Sequence, residues 1–113
     1  MGNLIISGFK ENLLSNRCVK AFEDLSEFTN IGDCQVQLFF LGFPPGEVRP
    51  THTHEELRLT FVRSGKMKLV VEDKISELKE GDYVSLMPQA PHSIEVISET
   101  PLLLLELVVT LPS

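Results

Sequence analysis

The chain has 113 residues, of which 42% are hydrophobic and 23% charged, and its formal net charge is −6 at pH 7. This length suits one domain with its own hydrophobic core, and the composition is too apolar for a disordered chain. Its scattered basic residues lack the concentrated positive charge that nucleic acids require, and no basic amphipathic helix indicates a membrane surface. We therefore expect a single domain over residues 1–113 that binds neither nucleic acid nor membrane.

The N-terminal segment and the cysteines favour a cytoplasmic protein. The first residues have no charged region, and their apolar stretch is confined to residues 4–6, so they do not resemble a secretory signal. Cys18 and Cys34 are too few to form a disulfide framework, and an intracellular protein keeps such thiols reduced.

In chain order, alternating apolar and polar residues and turn-forming residues predict a series of strands. One segment is ambiguous, because Phe22, Leu25 and Phe28 recur every three residues, as in one helical turn. The turn-forming residues that follow at 30–33 favour a loop over residues 22–28 instead, with its aromatic side chains closing one end of the core. The predicted strands cover residues 3–7, 18–22, 34–41, 58–63, 66–71, 75–78, 83–87, 93–97 and 102–109. Short strands with turns between them are typical of an antiparallel sandwich or barrel.

The histidines point to a metal site. Two of the three, His52 and His54, are separated by one residue. On an extended strand such residues share a face, with Cα atoms about 6.6 Å apart, so both imidazoles can reach one ion. The third, His92, follows a turn and strand that begin near Gly81.

These two histidine segments resemble the two sequence motifs of the cupin superfamily. Residues 46–65, with His52 and His54, reproduce the spacing of the first motif, G-x5-H-x-H-x3-4-E-x6-G. Gly81 and His92 match the first glycine and the histidine of the second motif, G-x5-P-x-G-x2-H-x3-N. The chain also departs from both motifs. Arg58, or Leu59 with the longer spacing, stands at the glutamate position, while Met87, Gln89 and Val96 replace the proline, glycine and asparagine.

The resemblance implies an all-β, antiparallel double-stranded β-helix, the jelly roll or cupin barrel. It also implies that His52, His54 and His92 bind one divalent transition metal. Imidazole ligands suit iron, nickel, manganese, zinc or copper, and the residues do not choose among these ions.

Arg58 shares a face with the two neighbouring histidines if the strand is regular. A positive charge about 5 Å from a divalent ion would repel it by roughly 7 kcal/mol at an effective dielectric of 20. Arg58 must then pair with a carboxylate or contact an anionic ligand. Glu56, two residues before Arg58, is the nearest carboxylate expected on the same face of the strand. It could instead be the fourth metal ligand. Alternatively, Arg58 and Glu56 form an outward pair at the barrel rim.

Two further polar residues are candidates for the cavity. Tyr83, the only tyrosine, belongs either to the core or to the substrate site as a proton donor. Glu106 interrupts an apolar strand and either partners Arg58 or faces solvent near the strand end, and we expect solvent. The predicted substrate-binding residues are thus Arg58, Glu56 and Tyr83.

Two functions follow from the resemblance. The first is a small metalloenzyme acting on a small anionic or polar molecule, since cupins include dioxygenases, isomerases, epimerases and lyases. The second is a non-catalytic ligand-binding or sensing module. No catalytic residue is assigned. We also expect a homodimer, because strands at residues 4–6 and 102–109 would leave apolar edges that can pair across a two-fold axis.

Overall fold

The computed structural model describes residues 21–112, except for the side chain of Glu27, and these residues form nine strands. No helix long and apolar enough to cross a membrane occurs in this part of the chain. The strands are β1 (Phe22–Ile31), β2 (Cys34–Phe43), β3 (Val48–His52), β4 (Leu57–Ser64), β5 (Lys66–Val71), β6 (Lys74–Lys79), β7 (Tyr83–Leu86), β8 (His92–Val96) and β9 (Leu102–Thr110).

The strands form two antiparallel sheets that face each other. One has the order β1-β2-β9-β4-β7 and the other the order β3-β8-β5-β6. Strands that are distant in sequence are therefore neighbours, as β2 and β9 are. This jelly-roll arrangement confirms the predicted antiparallel double-stranded β-helix. The strands predicted between residues 34 and 109 are all present, with small shifts at their ends.

One predicted loop is a strand. We expected residues 22–28 to form a loop, but they belong to β1, which pairs with β2. A β-bulge between Leu25 and Glu27 accounts for the second half of the spacing of three, whereas Phe22 lies opposite Gly42 on the other face. Because a bulge adds one residue, Leu25 and Phe28 lie opposite Phe39 and Gln37 and so share one face. The predicted strand at 3–7 and most of that at 18–22 lie outside the described residues.

The predicted role of residues 102–109 as an edge strand is also wrong. β9 pairs with β2 on one side and β4 on the other, so its backbone hydrogen-bonding groups face neighbours on both sides. An almost uninterrupted apolar sequence fits such a central position better than an edge. Residues 4–6, the other predicted edge, lie outside the described part of the chain.

The hydrophobic core lies between the two sheets and forms one wall of a pocket. In β5, Met67 and Leu69 are almost fully buried while Lys66 is exposed, as the alternation predicts. Burying one large aliphatic side chain stabilises the fold by about 1.5–3 kcal/mol. Leu41 and Leu104 belong to this core and also line the pocket that contains the histidines. The buried core members are Leu41, Phe43, Val62, Met67, Leu69, Leu78, Val96, Leu102 and Leu104.

Gly65 forms the tight connection between β4 and β5, where a side chain has no room. Its φ is +86°, and a Cβ would lie 2.5 Å from the carbonyl oxygen of Pro101. We predict that Gly65→Ala lowers the free energy of unfolding by about 2–5 kcal/mol, from left-handed strain and overpacking together. Urea denaturation measures this change.

Gly81→Ala is the matched control, because Gly81 has a φ of +93° but nothing within 4 Å of its Cβ position. Only the conformational cost, about 1–2 kcal/mol, applies there. Equal losses in the two variants would contradict the role of the Pro101 contact.

Candidate metal centre

The fold brings the three histidines together from separate segments. β3 ends at His52, His54 lies in the connection to β4, and His92 begins β8, directly opposite His52. Their potential ligand nitrogens all lie within 4.8 Å of one another. The ring centroids are 4.5 Å apart for His52 and His54, 4.4 Å for His52 and His92, and 5.0 Å for His54 and His92.

Backbone carbonyls orient two of these rings. The Nδ1 atom of His52 is 2.8 Å from the carbonyl oxygen of Pro50, and that of His92 is 3.0 Å from the carbonyl of Ala90. A carbonyl can only accept a hydrogen bond, so Nδ1 carries the proton in each neutral ring. The lone pair is then on Nε2, which is the tautomer that a metal ligand of this type requires.

His54 is fixed through its backbone instead. Its carbonyl oxygen accepts a 2.7 Å hydrogen bond from the backbone N–H of Gln89, in the turn that precedes His92. Gln89 has a φ of +67°, a left-handed conformation that is unusual for a residue with a Cβ. The glycine position of the second motif thus keeps the glycine-type backbone although the side chain differs.

A pocket of about 380 Å³ adjoins the histidines. It opens between the two sheets and has an apolar wall of core residues and a polar wall of charged side chains and imidazoles. Its lining includes all three histidines together with Arg49, Arg58, Glu106, Leu41, Leu104 and Ile94.

The electrostatics of the pocket keep two imidazoles neutral. The pKa of His54 is lowered from 6.5 to about 4, first by burial and then by Arg58 and the other two histidines, although Glu56 opposes the shift. The pKa of His92 is also lowered, mainly by burial, with its Ala90 hydrogen bond acting in the opposite sense. Neither ring must release a proton at neutral pH to bind a metal, so the donor set fits a divalent ion.

Arg58 points inward and bridges two carboxylates. Its Nη1 donates a 2.8 Å hydrogen bond to Oε1 of Glu106, and its Nη2 donates a 2.9 Å hydrogen bond to Oε1 of Glu56. The Arg58 side chain is only 18% exposed. The sequence left open an outward pair at the rim, whereas the structure has Arg58 lining the pocket. With two carboxylates on one guanidinium, this group has a formal charge of −1.

The prediction that Glu106 faces solvent is wrong. Its side chain is 7% exposed, and its second oxygen, Oε2, accepts a 2.9 Å hydrogen bond from Oγ1 of Thr60. Thr60 and Glu106 are direct partners across β4 and β9, so their side chains meet inside the sandwich. Sequence reasoning missed Thr60. The available signal was its position two residues after Arg58 in a largely apolar strand, which places both polar side chains on the same face.

Tyr83 lies away from the histidines. It is 64% exposed and stacks on Phe61 with ring centroids 5.5 Å apart. It lines a second, larger pocket of about 830 Å³, next to β6 and β7. No histidine is among the lining residues described for that pocket. The residues that could hold a metal therefore line the smaller pocket, despite the greater volume of the other.

Comparison with known families agrees with the fold and the histidine spacing. The Cupin domain family matches residues 39–109, which include every residue of the histidine cluster. The chain belongs to the cupin family. Comparison with curated proteins gives no significant match.

Solved structures share the fold at low sequence identity. The cupin domain of Cnp3 from Schizosaccharomyces pombe has a TM-score of 0.68 and 14% identity, covering 85% of this chain and 72% of that one. The TT1209 protein from Thermus thermophilus has a TM-score of 0.66 and 22% identity, covering 82% and 86%. The DMSP lyase DddQ from Ruegeria pomeroyi has a TM-score of 0.65 and 17% identity, covering 83% of this chain but 49% of its own.

Proposed function

We propose that this cupin is a small metalloenzyme that binds one divalent transition metal through His52, His54 and His92. The observation that carries the proposal is the convergence of three imidazole nitrogens within 4.8 Å beside a pocket. Ligand nitrogens about 2.1 Å from one metal are roughly 3–3.5 Å apart, so small rotations of the rings are enough to bind it. A metal held this way keeps open coordination positions and polarises an oxygen of a bound molecule.

The substrate is proposed to be a small polar or anionic molecule, because the pocket is small and one wall is polar. The Arg58 group with its two carboxylates has a charge of −1, so a divalent ion would leave the whole site positive. Each Nη atom of Arg58 also carries a second N–H, which can donate a hydrogen bond to a ligand oxygen. Glu56 acts through Arg58 in this proposal. Tyr83 has no part in it, because it lines the other pocket.

An enzymatic role is consistent with the fold, because DddQ, a DMSP lyase, shares it. At 17% identity, the likeness between the two proteins is limited to the fold. A non-catalytic binding or sensing role remains the second candidate, and one observation favours it. Both oxygens of Glu106 accept hydrogen bonds, from Arg58 and Thr60, and one oxygen of Glu56 accepts a hydrogen bond from Arg58, so both carboxylates are already engaged by donors.

The metal centre predicts that each histidine is needed. His54→Ala and His92→Ala should each weaken Zn²⁺ or Co²⁺ binding at least about 100-fold, because two imidazoles on an open site hold an ion poorly. Isothermal titration calorimetry, together with elemental analysis of the purified protein, measures this. Thr53→Ala, an exposed change within the same segment, should retain wild-type affinity. Full metal occupancy in His92→Ala would show that the three histidines do not form one site.

The proposed ligand predicts that anion binding depends on the metal. Citrate and phosphate should bind to the metal-loaded protein and bind at least about tenfold more weakly after EDTA treatment and dialysis. Calorimetric titration of both forms, with His54→Ala as the metal-deficient control, measures the difference. Equal affinities in all samples would contradict a metal-centred anion site.

We also propose a homodimer, formed through a sheet face rather than through the edge of β9. Residues that alternate with Arg58 and Glu106 point away from the pocket, and on β4 and β9 they form a half-buried apolar surface. This surface, termed here the outer face, comprises Leu57, Leu59, Phe61, Leu105, Leu107 and Val109. Because it contains no charged side chain, two copies can bury it against each other.

The homodimer predicts a molecular mass of twice 12.7 kDa by sedimentation equilibrium at micromolar concentration. Leu59→Glu should shift the protein to monomers, since it places a charge on the outer face. Ile75→Glu is the control, because Ile75 is an exposed residue of β6 in the other sheet. A monomeric wild-type protein would refute the proposal.

A further inference from the structure

We infer that Arg58 is a positioning residue that holds Glu56 and Glu106 away from a metal bound by the three histidines, and so limits the protein ligands to three. The inference rests on the proposed metal centre and adds a determinant of its coordination. Carboxylate oxygens are good ligands for the same ions that imidazole binds. Two carboxylates beside three converging imidazoles would therefore be expected to coordinate unless something restrains them.

The restraint on Glu106 is visible in its contacts. Oε1 accepts a hydrogen bond from Arg58 and Oε2 accepts one from Thr60, at 2.8 and 2.9 Å. Both oxygens thus have a donor, and the one from Arg58 carries a charge, which strengthens the hydrogen bond. Glu106 lines the same pocket as the three histidines, and these two hydrogen bonds fix the orientation of its carboxylate there.

Glu56 is restrained by Arg58 through a single oxygen. The distance from Nη2 of Arg58 to Oε1 is 2.9 Å, and the Glu56 side chain is 28% exposed. It lies two residues after His54, in the irregular segment before β4, where the backbone is free of ladder constraints. Without Arg58, Glu56 would lose this contact, whereas Glu106 would retain Thr60.

The bridge also explains how a cation can lie beside a metal centre. Arg58 repels a divalent ion, but the two carboxylates it binds more than offset its charge. They do so as neighbours rather than as ligands, so the imidazoles remain the protein donors and the remaining coordination positions stay available for a small molecule. The histidines then set the number of protein ligands, while the Arg58 group sets the local charge.

Cobalt absorption spectroscopy tests the inference, because the visible spectrum of Co²⁺ depends on its ligands. Arg58→Met removes the guanidinium and keeps much of the side-chain volume. We expect it to bind Co²⁺ at least about tenfold more tightly than the wild type, with a changed visible spectrum. The expected cause is coordination by a released carboxylate.

Two double variants identify that carboxylate and also guard against misfolding of Arg58→Met, which leaves a buried charge partly unpaired. Arg58→Met with Glu106→Gln releases only Glu56, and Arg58→Met with Glu56→Gln releases only Glu106. A changed Co²⁺ spectrum in either one supports the inference and names the carboxylate that coordinates.

Arg49→Met separates ligand release from a simple loss of positive charge. Arg49 lines the same pocket and pairs with Glu47 at 3.2 Å, so this variant removes an equal charge without freeing Glu56 or Glu106. We expect its Co²⁺ spectrum to match that of the wild type. An equal spectral change in Arg49→Met would overturn the inference.

Spectra identical to the wild type in Arg58→Met, or in both double variants if Arg58→Met does not fold, would also overturn it, even if affinity rises. That result leaves the three-histidine centre intact. Failure of the wild type and all variants to bind Co²⁺ would instead overturn the metal centre, and the role of Arg58 with it.

Discussion

The buried carboxylate of Glu106 is the constraint on which the polar wall of the pocket depends. An ionised carboxylate removed from water is destabilising by several kcal/mol unless charged and neutral donors compensate it. Arg58 and Thr60 provide those donors, and both must point inward to do so. The central position of β9 fixes Glu106 between β2 and β4, so the sheet itself determines where Arg58 must lie.

A second constraint acts on the imidazoles through the backbone. The carbonyls of Pro50 and Ala90 each lie two residues before the histidine they orient, so short local segments select the tautomer. Both segments contain a proline next to or near the histidine, which restricts the backbone that presents the carbonyl. The orientation of these two imidazoles is therefore largely a local property, while their convergence requires the pairing of β3 with β8.

The sequence predicted the regular part of the fold because alternation and turn residues are local signals. The three-histidine cluster was predictable through motif spacing for the same reason. The β1 strand was missed, since a bulge between Leu25 and Glu27 interrupts the alternation and puts Leu25 and Phe28, three residues apart, on one face. The position of Glu106 depended on which strands flank β9, a long-range pairing that no local pattern encodes. The same pairing leaves residues 102–109, one of the two predicted dimer edges, without a free edge.

Arg58 shows why a motif departure cannot be interpreted from one residue alone. A cation at a position where the motif has a carboxylate would, in isolation, oppose metal binding by several kcal/mol. In the folded protein its neighbours reverse the sign of the local charge, since Glu56 and Glu106 both lie within 3 Å of the guanidinium. The relevant unit is the three-residue group and not the substituted side chain. Its formal charge of −1 matches that of a single glutamate, so the group as a whole adds no positive charge beside the histidine cluster.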